Sequence, residues 1–203
     1  PISAFSSDRF ILRRESPVQT LGGGRVLDPW ALRARKKHGE RIADELTALD
    51  SGDTSVLLSR AGLAGLDHTA AAERGIEGGV RLGERMVHPS ALATLAQATV
   101  EQLQAWHAEH PLSPGAPRRA LSTGALKALP ERSWVDLFEQ LHEAGKLVLD
   151  GPVVRLPGFE ITLSPAEQSQ LTEIERALTE ADLTGLKYAQ VATEQADLLH
   201  LLL

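Results

Sequence analysis

The sequence predicts a mainly α chain carrying small β-hairpins, an α+β organisation in repeated units, and three observations lead there. Apolar residues recur at helical spacing, most clearly at Trp134, Leu137, Phe138, Leu141 and Ala144. Twice a helical stretch is followed by a short hairpin, residues 80–82 and 85–88 across Gly83-Glu84, then residues 146–149 and 153–156 across Asp150-Gly151-Pro152. After each hairpin a proline opens the next helix, Pro89 and then Pro165, 76 positions on, which marks a repeat.

The first element occupies residues 8–28. Phe10 and Leu12 alternate with Arg9, Ile11 and Arg13, while Leu21, Val26 and Leu27 flank Gly22-Gly23-Gly24, so two strands are predicted, the second bent at its glycines. A two-stranded hairpin is marginal in water, so these strands must complete a sheet whose other members are absent, or pack on the next stretch of the chain. A start at Pro1 without Met is what a piece of a longer chain would show. Asp28-Pro29 then predicts a helix start, a capping acid followed by proline at the first helical position. Residues 30–49 read as that helix, with Ile42, Leu46 and Leu49 on one stripe. Within it Arg33, Arg35, Lys36, Lys37 and His38 form a basic run that reads either as a solvated face or as a contact for RNA phosphate.

Asp53-Thr54 is expected to cap a short helix over residues 55–61 with Gly62 as its stop, and residues 66–74 to form another ending at Gly75. Helix, helix, hairpin is the outline of a winged helix. A complete unit needs a third helix between Gly75 and the hairpin, where only residues 76–79 are available, so this first unit (29–88) is expected to be degenerate. Residues 90–107 are again helical, with Leu92, Leu95, Thr99, Leu103 and Trp106 in register. Residues 111–117 read as a loop and residues 118–121 as a short turn or helix. Ser133-Trp134-Val135-Asp136 resembles a capping box that opens a third helix, stopped at Gly145; the second unit (89–157) is expected to be complete. Ser164-Pro165-Ala166-Glu167 is the strongest helix start in the chain, ahead of Leu171, Ile174 and Leu178 on one face. A turn at residues 182–185 and a last helix from Thr193 end at Leu201-Leu202-Leu203, so a third unit (158–203) is expected to lack its wing.

Composition narrows the chemistry. The chain has 203 residues, 42 % of them apolar, which is globular, and no run of 18 apolar residues or export signal is present. The absence of Cys excludes disulfides, thiolate metal sites and a cysteine nucleophile, and a cytoplasmic protein fits. The net charge of −6 is unevenly placed: residues 1–38 hold 8 Lys or Arg against 3 Asp or Glu, and residues 39–203 hold 13 against 24, a balance of −11. Any polyanion is therefore expected near the N-terminal stretch.

Catalytic and ligand motifs fail on inspection. Gly22-Gly23-Gly24 lacks the Gly-Lys-Ser/Thr continuation of a phosphate loop and reads as a strand bend. Asp182-Leu183-Thr184-Gly185 matches a word of GTPases, but without a phosphate loop, and with no Asn anywhere to read guanine, it encodes no nucleotide site. His107 and His110 are three apart but lack a third ligand, so they are read as exposed helix-end histidines and no metal is expected. No nucleophile with an evident base can be assembled, and no catalytic residue is assigned. The third helix of a winged helix is the usual groove reader, yet here it carries Asp136, Glu139 and Glu143 and no Lys or Arg between Ser133 and Ala144. Phosphate repulsion opposes its insertion into nucleic acid. Arg118 and Arg119 are the only adjacent basic pair of that unit, read as surface charge or as a low-grade RNA contact.

The words Asp8-Arg9-Phe10-Ile11-Leu12-Arg13, Ser16-Pro17-Val18-Gln19-Thr20 and Gly22-Gly23-Gly24-Arg25-Val26-Leu27-Asp28-Pro29 resemble the end of the third domain, a β-barrel, of the bacterial selenocysteine-specific translation elongation factors. More diffusely, the resemblance runs through the rest of the chain. It implies terminal β-barrel strands (1–28) followed by tandem winged-helix domains. It also implies a parent protein that binds GTP and magnesium in a G domain absent here, carries selenocysteinyl-tRNA to the ribosome and recognises a selenocysteine-insertion hairpin in mRNA through a last winged helix. On this reading the chain is a non-enzymatic spacer without a cofactor of its own, linking the GTPase body to the distal RNA-reading unit. RNA-contact candidates are Arg13, Arg14, Arg25, Arg33, Arg35, Lys36, Lys37, Arg118 and Arg119. The alternative is a free-standing winged-helix DNA-binding transcription regulator, against which the acidic third helix counts.

Overall fold

In the computed structural model the described residues are 4–31 and 38–181. They form an α+β chain of helices and small antiparallel sheets, as the periodicities predict. The chain divides into two compact units, Pro1–Thr94 with Ala128–Val135, and Leu95–Lys127 with Asp136–Leu203.

The first unit opens with a hairpin, β1 (Arg9–Arg14) and β2 (Gln19–Arg25), paired antiparallel from Arg9 opposite Arg25 to Arg14 opposite Gln19. The register slips by one residue where Leu12 faces Gly22 and Arg13 faces Thr20, so Leu21 is an extra residue and the expected bend is a bulge beside the glycines. Gly24 lies under the Phe10 ring, whose Cζ would stand 2.8 Å from any added Cβ. Both faces of the hairpin are exposed. Past it, Asp28 closes a turn by accepting the Trp30 N–H at 3.0 Å, but the helix expected there starts later, at α1 (Gly39–Asp50). Arg33, Arg35, Lys36 and Lys37 lie outside the described residues.

Next come α2 (Ser55–Ala61), β3 (Leu66–Asp67), α3 (His68–Glu73), β4 (Val80–Leu82) and β5 (Arg85–Val87). The helix predicted over residues 66–74 is shorter than expected: its first two residues are a strand, and Asp67 caps α3 by accepting the Thr69 N–H at 2.9 Å. That strand changes the sheet. It pairs with β5, giving the order β3-β5-β4, so the predicted two-stranded hairpin is three-stranded. Gly65, at φ +60°, permits the approach, because a Cβ there would fall 2.4 Å from the Met86 carbonyl oxygen. No helix stands between Gly75 and β4; the third helix of this unit is α1, ahead of the other two. Leu57, Leu58, Ala71 and Ile76 form its core, with Leu49, Leu66 and Met86 packed against them.

The long helix α4 (Pro89–Glu109) contributes to both units. In the second unit its Leu95, Thr99 and Leu103 are fully buried, as the stripe predicts, and the Thr99 hydroxyl donates to the Leu95 carbonyl at 2.8 Å. β6 (Ala116–Pro117) falls in what reads as a loop, and pairs with the last strand of the second wing. Two 3-10 turns, Arg118–Leu121 and Gly124–Ala128, precede α5 (Glu131–Glu143). Lys146 donates its N–H to the Leu141 carbonyl across Gly145 at φ +68°, which ends α5 where the sequence places its stop. The wing is β7 (Val148–Asp150) and β8 (Val153–Arg155), turning at Gly151, and the sheet order is β6-β8-β7. Leu137, Phe138 and Leu141 of α5 are buried together with Leu147 and Val154 of the wing region, whereas Ala144 is exposed. α6 (Pro165–Ala181) opens on the predicted capping box: Glu167 Oε2 accepts the Ser164 N–H at 2.7 Å and Ser164 Oγ accepts the Glu167 N–H at 3.3 Å. The expected turn, last helix and terminal leucines lie outside the described residues.

His107 departs from its expected place. It is 7 % exposed, its Nε2 accepts the Leu156 N–H at 3.3 Å, and its ring stacks on Phe159 at 3.6 Å. It ties the segment leaving the wing back to α4. Burial, and then the Arg155 charge, hold its pKa below the usual 6.5. The folded chain prefers neutral His107, so this stabilisation is present in full above about pH 6.5 and is lost as pH falls towards the lowered folded value. Urea titrations at about pH 7.5 and pH 5.5 are expected to show a lower midpoint in acid, and His107→Gln to narrow that difference; an unchanged gap would remove His107 from the linkage.

Candidate nucleic-acid interface

Strand geometry decides what the N-terminal arginines can do. Successive residues of a strand face opposite ways, so Arg13 and Arg14 do not share a surface. Arg25 stands opposite Arg9, and its guanidinium is ion-paired with Asp50 at the end of α1. Arg60 of α2 forms an ion pair with Asp28, whose side chain is 2 % exposed, and lies 3.8 Å from Glu45. Arg25, Arg41 and Arg60 share the lining of a cleft of about 680 Å³ with Asp28 and Glu45 and with the apolar Phe10, Val26, Ile42 and Leu46. Its charge is mixed.

In the second unit Arg118 braces the wing: its Nη2 donates to the Gly151 carbonyl at 3.2 Å. The side chain is half-buried, so phosphate would have to compete with that bond. Arg119 is exposed on the same 3-10 turn.

α5, whose residues up to Val135 belong to the first unit and whose residues from Asp136 belong to the second, remains acidic in three dimensions. Glu139 and Glu143 are exposed and Asp136 is half-buried. Because α5 begins at Glu131 and not at Ser133, one acid and one base join the helix, and the base, Arg132, is bonded to Glu84 Oε1 at 3.0 Å. Ser133 is therefore no cap. It is 1 % exposed, inside the helix, and its hydroxyl donates to the Leu82 carbonyl at 2.8 Å. Sequence reasoning missed this role, although Ser133 stands four residues before Leu137 and eight before Leu141, on the stripe that faces inward. The turn of the first wing thus sits on the first turn of α5, where a Cβ on Gly83 would lie 3.4 Å from the Arg132 carbonyl oxygen.

A second cleft, of about 650 Å³, lies at the end of α4, between Trp106, His110, Pro111 and Pro114, with Glu109 and Glu167 on its lining. Among the described residues no group of three or more His, Cys, Asp or Glu could hold a metal, and no helix is long and apolar enough to cross a membrane.

Comparison with known proteins shows what the chain is similar to. Residues 100–156 match a family model described as elongation factor SelB, winged helix. The chain is 27 % identical, over 90 % of its length, to a selenocysteine-specific elongation factor of Desulfomicrobium baculatum, of which it spans 32 %. It also superposes, with a TM-score of 0.52 over 98 % of its length and at 15 % identity, on 33 % of a crystal structure of the bacterial selenocysteine-specific elongation factor EF-Sec, a likeness of fold. These matches bear out the resemblance read from the hairpin words and the repeated units, and a free-standing regulator is not favoured. The chain spans about a third of the length of these relatives.

This geometry sets two expected outcomes. Ser133→Ala is expected to cost about 1 kcal/mol in denaturant unfolding, because the Leu82 carbonyl loses its buried donor. A neutral result would mean that water replaces the hydroxyl. Glu139→Lys with Glu143→Lys is expected to raise non-specific affinity for single-stranded RNA and to steepen the log-log salt slope by about 1.4, at roughly 0.7 per phosphate contact. An unaltered slope would show that RNA does not reach this face.

Proposed function

We propose that the chain acts in selenocysteine incorporation during translation, as a winged-helix spacer between the GTPase and tRNA-binding body and a distal unit that binds the mRNA hairpin. The observation that carries this reading is the match to a selenocysteine-specific elongation factor over 90 % of the chain. In this scheme residues 1–28 end the β-barrel domain, residues 29–88 and 89–157 are the first and second winged helices, and residues 158–203 begin a third. The chain itself performs no catalysis and holds no cofactor; GTP and magnesium belong to the G domain, and selenocysteinyl-tRNA, the selenocysteine-insertion hairpin and the ribosome are partners of the whole factor in the cytoplasm. Supporting the spacer role, α5 offers carboxylates where a groove reader needs cations. The first wing gives its turn to Ser133 and Arg132.

Weak RNA contact is assigned to the basic N-terminal stretch, Arg13, Arg14, Arg25, Arg33, Arg35, Lys36 and Lys37, with Arg118 and Arg119 as lesser candidates. Such contact is to phosphate, so it is independent of sequence and falls with salt. In a salt titration of a labelled selenocysteine-insertion hairpin against a scrambled one, equal affinities are expected. Replacing Arg33, Arg35, Lys36 and Lys37 by Ala should flatten the log-log slope by up to about 3 without creating a preference. Tight, salt-resistant selection of the true hairpin would locate reading capacity in these units and end the spacer assignment.

A further inference from the structure

The cleft at the end of α4 has a chemistry that a spacer does not require. Trp106 and His110 form a stacked pair, with ring centroids 4.0 Å apart and planes 14° apart, and Pro111 and Pro114 supply stiff apolar walls. Glu109 and Glu167 are the only Asp, Glu, Lys or Arg side chains on the lining, and neither forms an ion pair among the described residues. The last carbonyl groups of α4 add the negative end of its dipole.

From this convergence we propose that the cleft is a docking site for an extended, arginine-bearing segment of a partner protein. Charge complementarity selects a cation, since two carboxylates and a helix C-terminus meet with no Lys or Arg on the lining to offset them. The indole and imidazole select arginine over lysine, because a guanidinium stacks on an aromatic plane while its N–H groups bond carboxylates. Proline and aromatic walls around an open cleft of about 650 Å³ select an extended peptide over a small cation, as in grooves that take elongated segments. The hydrogen bonds from Ser164 hold the Glu167 carboxyl below the usual carboxylate range, so its charge persists in mild acid. The inference goes beyond the role in translation proposed above and does not depend on it.

The test uses the whole chain and a peptide of alternating Arg and Ala, with its Lys counterpart and spermidine for comparison, read by the indole N–H resonance of Trp106, assigned through Trp106→Phe. Binding of the Arg peptide is expected to shift that resonance and to be about fivefold tighter than binding of the Lys peptide. Glu109→Gln with Glu167→Gln, which keeps an acceptor for the cap, is expected to weaken binding by about fivefold or more. Glu139→Gln with Glu143→Gln, on α5, is expected to leave it unchanged. The proposal is overturned if the α5 pair weakens binding as much as the cleft pair, since net charge alone is then being read. It is equally overturned if spermidine binds as tightly as the Arg peptide, or if the Trp106 resonance does not move.

Discussion

The pairing of a two-residue strand with the far strand of each wing is the constraint on which the remaining architecture depends. Leu66–Asp67 pairs with β5 and Ala116–Pro117 with β8, so each hairpin gains a third strand from a segment far upstream in the chain. A two-stranded hairpin is marginal alone; with a third strand and a helix layer it becomes part of a fold. In the second unit the closure confines both 3-10 turns and α5 between β6 and the wing, which places Leu137, Phe138 and Leu141 in the interior. Pro117 is tolerated because β6 lies at the edge of its sheet.

That closure leaves the polar groups of the helices to find partners across the chain, and they do so through single side chains. Ser133 supplies a hydroxyl to the Leu82 carbonyl, His107 accepts the Leu156 N–H, and Gln102 donates to the Thr123 carbonyl at 2.9 Å. Each ties a helix to a segment distant in sequence. At the buried Ser133 bond a lost partner costs more than the bond contributes, because the Leu82 carbonyl is then cut off from water. The basic residues are drawn into the same work: Arg25, Arg60 and Arg118 are all engaged with the chain itself. Of the positive charge read from the sequence as an RNA footprint, Arg25 and Arg118 are thus engaged with the chain, while Arg13 and Arg14 are exposed on β1.

Two units with related outlines have reached them by different routes. In the first, α1 and α2 precede the short strand and α3 comes after it; in the second, one long helix precedes the strand, and two 3-10 turns with α5 come after. A helix missing between Gly75 and β4 does not leave the first unit without a core, since Leu57, Leu58, Ala71 and Ile76 are buried with Leu49 of α1 against them. The acids of α5 fit a helix whose first turn is occupied by a wing and whose outer face is left to water.

The local rules were legible in the sequence alone. A cap and a glycine stop located α2, helix spacing located α4 and α5, glycines located the turns at Gly83, Gly145 and Gly151, and Ser164 with Glu167 announced α6, because each of these signals is complete within a few residues. The hairpin words and the repeat also carried the family resemblance. Only the tertiary structure decided what depends on distant partners. A strand of two residues has no periodicity, so β3 and β6 exist only through β5 and β8. Ser133 resembled a cap because a serine followed three residues later by an acid is a cap when solvent surrounds it; burial against Leu82 made it a helix-interior donor instead. His107 read as an exposed helix end until Leu156 and Phe159 covered it. Hydrogen bonds and burial between segments tens of residues apart are set by how the chain closes on itself, and no local pattern records them.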